Sequence, residues 1–265
     1  MFIYKLCAIQ RNRMRIITYI LIGILGFTRA YAEPYDKVMD SLSKCNTMTE
    51  FYEMKAKFYS RSYPAKLERK LDFGYKHIFH EFDYDYSTST GSYYQGFRFY
   101  AIVKNDSIIF GRLEQIHWRG RVERRVDFKR LDNKLSQCVD TYKDFYKTSL
   151  TNDSFIEELT KIRYFSFCCG DACASKPREA KQIIRYVNSN RRKKIDSWLI
   201  NPNPEMQAYA IWGIKRLEKN GKRQTNFEKR IINHLMEKNT LIYNCSGCLM
   251  GLETPLKELL KHEFE

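Results

Sequence analysis

Near the middle of the chain, three consecutive stretches resemble strands: apolar and polar residues alternate with a period of two in the first and third, and the second is a run rich in apolar residues. The stretches cover residues 97–104, 108–116 and 122–128, and the turn-forming run Asn105-Asp106-Ser107 separates the first two. Alternation of this kind is typical of strands with one buried face, and short connections make consecutive strands antiparallel neighbours. The sequence therefore predicts a small antiparallel β-meander, with helices on its apolar face because three strands alone bury too little surface.

Helical spacing of apolar residues dominates the rest of the chain. Residues 34–62 show it, with Thr49 as an expected N-cap, and a further helix is expected after Pro64, whereas the aromatic and polar residues 75–94 are predicted as a surface loop. Beyond residue 129, helices are predicted over 131–148, 154–164, 193–200, 205–219 and 227–238, and one more begins at Lys176-Pro177-Arg178. The fold class is therefore α+β, with a helix-and-meander region at 33–150 and an α-helical region at 151–265.

One helical hairpin has a more specific pattern. From Ile195 to Leu217, a short apolar helix is followed by the turn Asn201-Pro202-Asn203-Pro204 and by a second helix with Ala210 at the expected helix contact. This stretch resembles one HEAT-type repeat, although Gln207 stands where that family often has an Arg. The resemblance covers about a tenth of the chain and implies a HEAT-like C-terminal part. The alternative is an ordinary helical hairpin, because solenoids need three or more repeats and no clear second copy is present.

The first 32 residues have the pattern of a secretory signal peptide. A basic head ends at Arg15, an apolar block spans residues 16–27, and Ala30-Tyr31-Ala32 supplies the small residues that a signal peptidase accepts. The block is shorter than the ~20 apolar residues of a transmembrane helix. The sequence predicts cleavage after Ala32, a secreted or periplasmic protein, and no transmembrane segment in the mature chain.

Positive charge is concentrated in one segment. Removal of residues 1–32 takes five basic residues and no acid away, which leaves 41 basic against 31 acidic residues, a net charge of +10. Residues 176–238 contain sixteen Lys or Arg and six acids, so this segment carries the whole excess. The candidate anion-binding residues are Arg191, Arg192, Lys193, Lys194, Lys215, Lys219, Lys222 and Arg223. They form either a solvated helix face or a surface for an anionic partner.

The cysteines of the mature chain are predicted to form disulfides, because exported proteins meet an oxidising environment. The candidates are Cys45, Cys138, Cys168, Cys169, Cys173, Cys245 and Cys248, an odd number that leaves one thiol without an intramolecular partner. We expect at least one bond between the 168–173 loop and the 245–248 loop. Two alternatives use the same residues: a zinc site of four thiolates, and a redox centre at Cys245-Ser246-Gly247-Cys248.

No set of residues forms a convincing catalytic or metal-binding constellation. His77 and His80 are spaced to share one face of a helix, as two metal ligands would, but solvated or core histidines explain this spacing equally simply. The sequence therefore predicts no cofactor and no resident metal. It favours an exported, non-enzymatic binding module whose partner is an anionic surface, a polysaccharide or an acidic protein, with no nucleic acid expected. The alternative function is an envelope thiol-disulfide oxidoreductase that uses Cys245 and Cys248.

Overall fold

The three strand-like stretches form adjacent strands of a five-stranded antiparallel sheet. The computed structural model describes residues 35–58, 66–88, 91–117, 119–129, 132–170, 175–247 and 249–262. The strands are β1 (Lys66–Lys70), β2 (Lys76–Thr88), β3 (Gly91–Lys104), β4 (Ser107–Ile116) and β5 (Val122–Lys129), and their order in the sheet follows the chain. The α+β class is confirmed, and so is the predicted meander, which corresponds to β3, β4 and β5.

The turn between β3 and β4 shows why these two strands pair. Asn105 and Asp106 both have positive φ values, 48° and 68°, and Lys104 pairs with Ser107 across them. A two-residue turn with this backbone has the same hand as the twist of the strands and therefore fixes their register.

The prediction for residues 66–88 was wrong, because the helix after Pro64 and the surface loop are both replaced by strands. Ile78 and Phe82 of β2 pack into one hydrophobic cluster, whereas Phe79 packs into another on the opposite face of the sheet. Both faces of β2 are thus covered, so its apolar residues do not alternate with polar ones as they do in a strand with one solvated face.

Two N-terminal helices cover one face of the sheet. The helix at 35–43 is α1 and Met48–Ala56 is α2. The Phe51 ring of α2 stacks on Phe99 of β3 with 3.8 Å between ring centroids. The N-cap of α2 is Thr47 and not the predicted Thr49, whose hydroxyl instead donates to the Asp106 carboxylate at 3.0 Å.

The remaining elements pack together on the other face. The helices are α3 (Asp132–Tyr146), α4 (Asn152–Thr160), α5 (Arg178–Asn188), α6 (Arg192–Leu199), α7 (Pro204–Lys219) and α8 (Asn226–Lys238). A hairpin of β6 (Leu241–Ser246) and β7 (Leu249–Pro255) follows, and α9 (Leu256–His262) ends the described chain. One hydrophobic cluster extends from Ile102 in the sheet to Leu260 in α9 and therefore crosses the predicted domain boundary at residue 150.

Helix α7 lies at the centre of this layer, and Gly213 is its closest contact. A methyl group at Gly213 would lie 2.9 Å from a carbon of Ile183 in α5 and 3.3 Å from a carbon of Ile195 in α6. The close approach of α6 and α7 was predicted at Ala210, which is also fully buried, but Gly213 is the residue where no side chain fits. Because Ile195 lies beside Gly213, the middle of α6 packs beside the second half of α7.

No helix in the described ranges combines the length and the apolar character that crossing a bilayer requires. The predicted signal peptide, residues 1–32, lies outside the described residues.

Candidate functional site

Three chain segments bring the predicted basic residues to one end of the α6–α7–α8 layer. Residues 191–194 begin α6, Lys215 and Lys219 lie in the last turns of α7, and Lys222 and Arg223 lie in the loop before α8. The guanidinium of Arg192 donates to the carbonyl oxygen of Arg223 at 2.6 Å, which joins the first and third segments directly. We call these eight predicted residues together the basic surface.

Arg192 is a member of the basic surface with a structural role. Its Nε and Nη2 atoms donate to the two carboxylate oxygens of Glu228 at 2.7 and 2.6 Å. Glu228 is fully buried and also forms the capping box of α8 with Thr225. The hydrogen bonds to Glu228 raise the pKa of Arg192. The guanidinium therefore holds α6 to α8, and Glu228 already compensates its charge.

The other exposed cations of the basic surface face solvent. Arg191, Lys193, Lys194, Lys222 and Arg223 are all exposed, and none makes an ion pair within the described ranges. Among the neighbouring acids, Glu218 is exposed and accepts a hydrogen bond from the Gln224 amide at 2.9 Å. The surface therefore has a strong local excess of positive charge, carried mostly by long side chains that can rearrange.

A pair of carboxyl groups lies beneath the basic surface. Burial, followed by the neighbouring Glu228, raises the pKa of Asp196 to about 6. Burial acts in the same direction on Glu228, but hydrogen bonds from Arg192 and Thr225 outweigh it and lower the pKa of Glu228. Asp196 consequently loses its negative charge in mildly acidic solution, and the net positive charge of this region increases.

A disulfide joins the two cysteine loops. Cys169 is bonded to Cys245, with 5.6 Å between their Cα atoms and a sequence separation of 76 residues. The Gly170 amide also donates to the Gly247 carbonyl oxygen at 2.7 Å, so the backbones of the two loops are paired as well. Cys168 is disulfide-bonded too. The expected bond between the loops is confirmed, whereas Cys173 and Cys248 lie outside the described residues.

The disulfide occupies one sulfur that two alternative sites would need. Cys245 is bonded to Cys169 and is buried. In this state it offers no thiolate to a zinc ion and no partner to Cys248 in a redox pair.

Cys45 and Cys138, also predicted as disulfide candidates, are buried thiols. They lie in different hydrophobic clusters, one on each face of the sheet, which keeps them apart. The Cys45 thiol donates to the Ser41 carbonyl oxygen at 3.7 Å. Burial, together with the charge of Asp72, raises the pKa of Cys138 to about 12. Both thiols therefore behave as small core residues.

The two spaced histidines do not share a face. His77 and His80 lie in strand β2, where residues three apart point to opposite sides of the sheet. In the part of the chain that the structure describes, no group of three or more His, Cys, Asp and Glu side chains is arranged to hold a metal ion. Each histidine is instead buried on its own face.

His77 belongs to a buried polar network that sequence patterns did not indicate. Arg69 of β1 donates from Nε to His77 Nδ1 at 3.1 Å and pairs with the Glu205 carboxylate. Glu205 of α7 also accepts a hydrogen bond from the Tyr243 amide of β6 at 2.9 Å. The network connects the sheet to α7 and to the C-terminal hairpin. Arg69 and Glu205, which are bonded directly, are separated by 136 residues, so no local spacing signals the network.

Asp72 is the centre of a second buried network. Its carboxylate accepts hydrogen bonds from the Tyr146 hydroxyl at 3.1 Å and His234 Nε2 at 2.7 Å, and pairs with the Lys238 ammonium at 2.9 Å. Burial acts to raise the pKa of Asp72, but Lys238 and His234 outweigh it and lower the pKa. The charges are compensated within the network, which holds the turn at 72–74 against α3 and α8.

Comparison with protein-family models, with curated proteins and with solved structures finds no match to this chain. A functional proposal therefore rests on the residues and geometry described above.

Proposed function

We propose that this protein is an exported, non-enzymatic binding module whose basic surface contacts an anionic partner. The observation that carries the proposal is the convergence of exposed cations from three chain segments at one end of the α6–α7–α8 layer. Such a concentration of charge produces a local positive potential, which attracts anions and accelerates association with them.

The chemistry of the basic surface favours a partner with many closely spaced anions. Five of its seven solvent-facing or partly exposed cations are lysines, whose flexible point charges do not need one fixed anion geometry. The large apolar side chains that are exposed within the described ranges are Phe73, Tyr94, Val122, Leu249 and Leu252, none of which belongs to this surface. The contact is therefore electrostatic, as with anionic lipid headgroups or an acidic polysaccharide.

Export is supported by the signal-like N-terminus together with the disulfide chemistry. Disulfides persist in the periplasm and outside the cell and are rare in a reducing cytoplasm. We therefore expect the exported protein to begin at Glu33, and N-terminal sequencing of exported material measures this. A product that begins at Met1 or Met14 would contradict the proposed cleavage after Ala32.

The basic surface is tested by the triple variant Arg191→Gln, Lys193→Gln, Lys194→Gln, which leaves the structural Arg192 in place. Each Lys or Arg near an anionic membrane contributes about 1 kcal/mol to binding, so loss of three should weaken binding to anionic vesicles about 100-fold. Stability should change little, because these side chains are exposed. Vesicle co-sedimentation at low and high salt measures the affinity, which should fall steeply as salt rises.

A matched control removes three exposed lysines from other elements: Lys37, Lys57 and Lys134. Both triple variants have the same net charge, but the control should keep almost all of its vesicle binding. Equal losses in the two variants would show that net charge alone attracts the protein. Retention of both variants on an acidic polysaccharide column, without binding to vesicles, would identify a different anion-binding site. If the triple variant bound the column and the vesicles as well as the unmodified protein does, the basic surface would be only a solvated helix face.

A further inference from the structure

A groove beside the disulfide lies at the C-terminal end of the described chain. It lies between the segment 165–168, strands β6 and β7, and helix α9, and it encloses about 370 Å³. That volume falls within the range of small-molecule pockets, ~300–1,000 Å³. Cys168 and Cys245 both line the groove, and both are disulfide-bonded, so covalent links hold its walls.

Part of the lining of the groove is apolar. Phe167, Leu252 and Leu259 line it, together with the buried Phe165, whose ring lies perpendicular to that of Phe167 at 5.5 Å. Leu252 remains 36% exposed, and these side chains offer contact area to an apolar ligand body.

One polar side chain that lines the groove has a hydrogen-bond acceptor without a donor. Asn244 is buried, and its Nδ2 donates to the Thr254 hydroxyl at 2.7 Å, but its Oδ1 has no hydrogen-bond partner in the described structure. A buried acceptor without a donor is unfavourable, so this carbonyl oxygen is a site where a ligand N–H group gains binding energy.

Among the described residues that line the groove, Glu258 is the only ionisable side chain, because the two cysteines there are in disulfides. This contrasts with the strongly basic segment 176–238 of the same chain. A carboxylate and an amide oxygen with no donor together favour an ammonium group, which has three N–H donors and a positive charge.

We propose that this groove binds a small primary amine whose ammonium group faces Glu258 and Asn244 and whose apolar body packs on Phe167, Leu252 and Leu259. The site is separate from the basic surface and requires the opposite charge on its ligand. Failure of either proposal would therefore not contradict the other.

The probe for this site is 2-phenylethylammonium, with 2-phenylethanol and phenylacetate as neutral and anionic analogues of similar size. Titration calorimetry should show that the ammonium compound binds about tenfold tighter than the alcohol, and that phenylacetate binds most weakly, because charge-assisted hydrogen bonds are the stronger ones. In protein NMR spectra, the side-chain amide of Asn244 should shift on addition of the ammonium probe, which places the ligand in the groove.

The decisive variant is Glu258→Gln, which lies at an exposed position of α9 and should fold normally. It should bind 2-phenylethylammonium about tenfold more weakly and 2-phenylethanol unchanged. Glu237→Gln, at an exposed position of α8, removes the same charge elsewhere and should leave both affinities unchanged. Equal affinities for the three probes, or an equal effect of the two variants, would overturn the proposal.

Discussion

Loss of the Cys169–Cys245 disulfide is expected to lower the free energy of unfolding by about 4 kcal/mol. The bond closes a loop with a sequence separation of 76 residues, and in the chain-entropy model a loop of this length restricts the unfolded chain by roughly that amount. For a protein of this size, 1 kcal/mol corresponds to about 2–4 °C, so the melting temperature should fall by roughly 10 °C.

The measurement is a thermal melt, followed by circular dichroism, of the double variant Cys169→Ala, Cys245→Ala. Each single variant serves as the control, because breaking the same bond from either side should have nearly the same effect as the double change. A double variant that melts within a degree or two of the unmodified protein would show that the bond adds nothing. Fully reduced thiols together with one equivalent of zinc would instead favour the four-thiolate site.

The second large effect is a loss of stability in mild acid, caused by two buried histidines. Burial is the main cause that lowers the pKa of His80 from 6.5 to about 3, with Lys55 and Lys66 adding to it. Burial and the charge of Arg69 lower the pKa of His77 well below 6.5. Both residues are nearly inaccessible to solvent, so the neutral imidazole is the form that the folded protein accommodates.

The direction of the pH effect on stability follows from the number of protons that the folded and the unfolded states bind. Below pH 6.5 the unfolded chain takes up a proton on each histidine, whereas folded His80 does so only near pH 3. The contribution of the two neutral histidines to the free energy of unfolding is therefore at its maximum above pH 6.5 and is lost as the pH falls towards 3. At about 1.4 kcal/mol per pH unit, each histidine should cost about 2 kcal/mol between pH 7 and pH 5.

Asp196 opposes this loss in part. Its folded pKa of about 6 is raised, so the folded protein binds a proton before the unfolded chain does and gains stability as the pH falls below 6. Because Asp196 is only half-buried, its contribution is discounted to about 1 kcal/mol. The pair of histidines should therefore dominate, with a net loss of roughly 3 kcal/mol at pH 5.

Urea unfolding at pH 7, 6 and 5 measures this loss. His80→Gln keeps a polar partner for the Tyr52 hydroxyl, which lies 3.1 Å from His80 Nε2, but does not titrate, so it should remove about half of the decrease. His117→Gln, in the turn before β5, is the matched control and should not change the decrease in the free energy of unfolding between pH 7 and pH 5. A free energy of unfolding that is constant from pH 7 to pH 5 would contradict the assignment to buried neutral histidines.

Local patterns were sufficient for several elements. The β3–β4 hairpin follows from the two strand-like runs on either side of Asn105 and Asp106, and the stripe on α5 follows from helical spacing. The capping residues Asn203 and Thr225 mark the beginnings of α7 and α8. The concentration of charge in 176–238 was also evident from the sequence, although its convergence from three segments onto one surface was not.

Tertiary structure decided what local patterns could not show. Residues 76–88 form a strand because α2 covers one face of the sheet and the C-terminal elements cover the other, which removes the alternation by which a strand is recognised.

The partners of the chemically important side chains depend on distant parts of the chain. Arg192 differs from Arg191 and Lys193 only because it meets Glu228, 36 residues away, and Arg69 meets Glu205 at a separation of 136 residues. Similarly, two cysteine loops predict a link, but only their packing decides that Cys169 bonds to Cys245. The sequence by itself thus determined the elements and the distribution of charge, because both depend on near neighbours, whereas ion pairs and disulfides depend on contacts that only the folded chain creates.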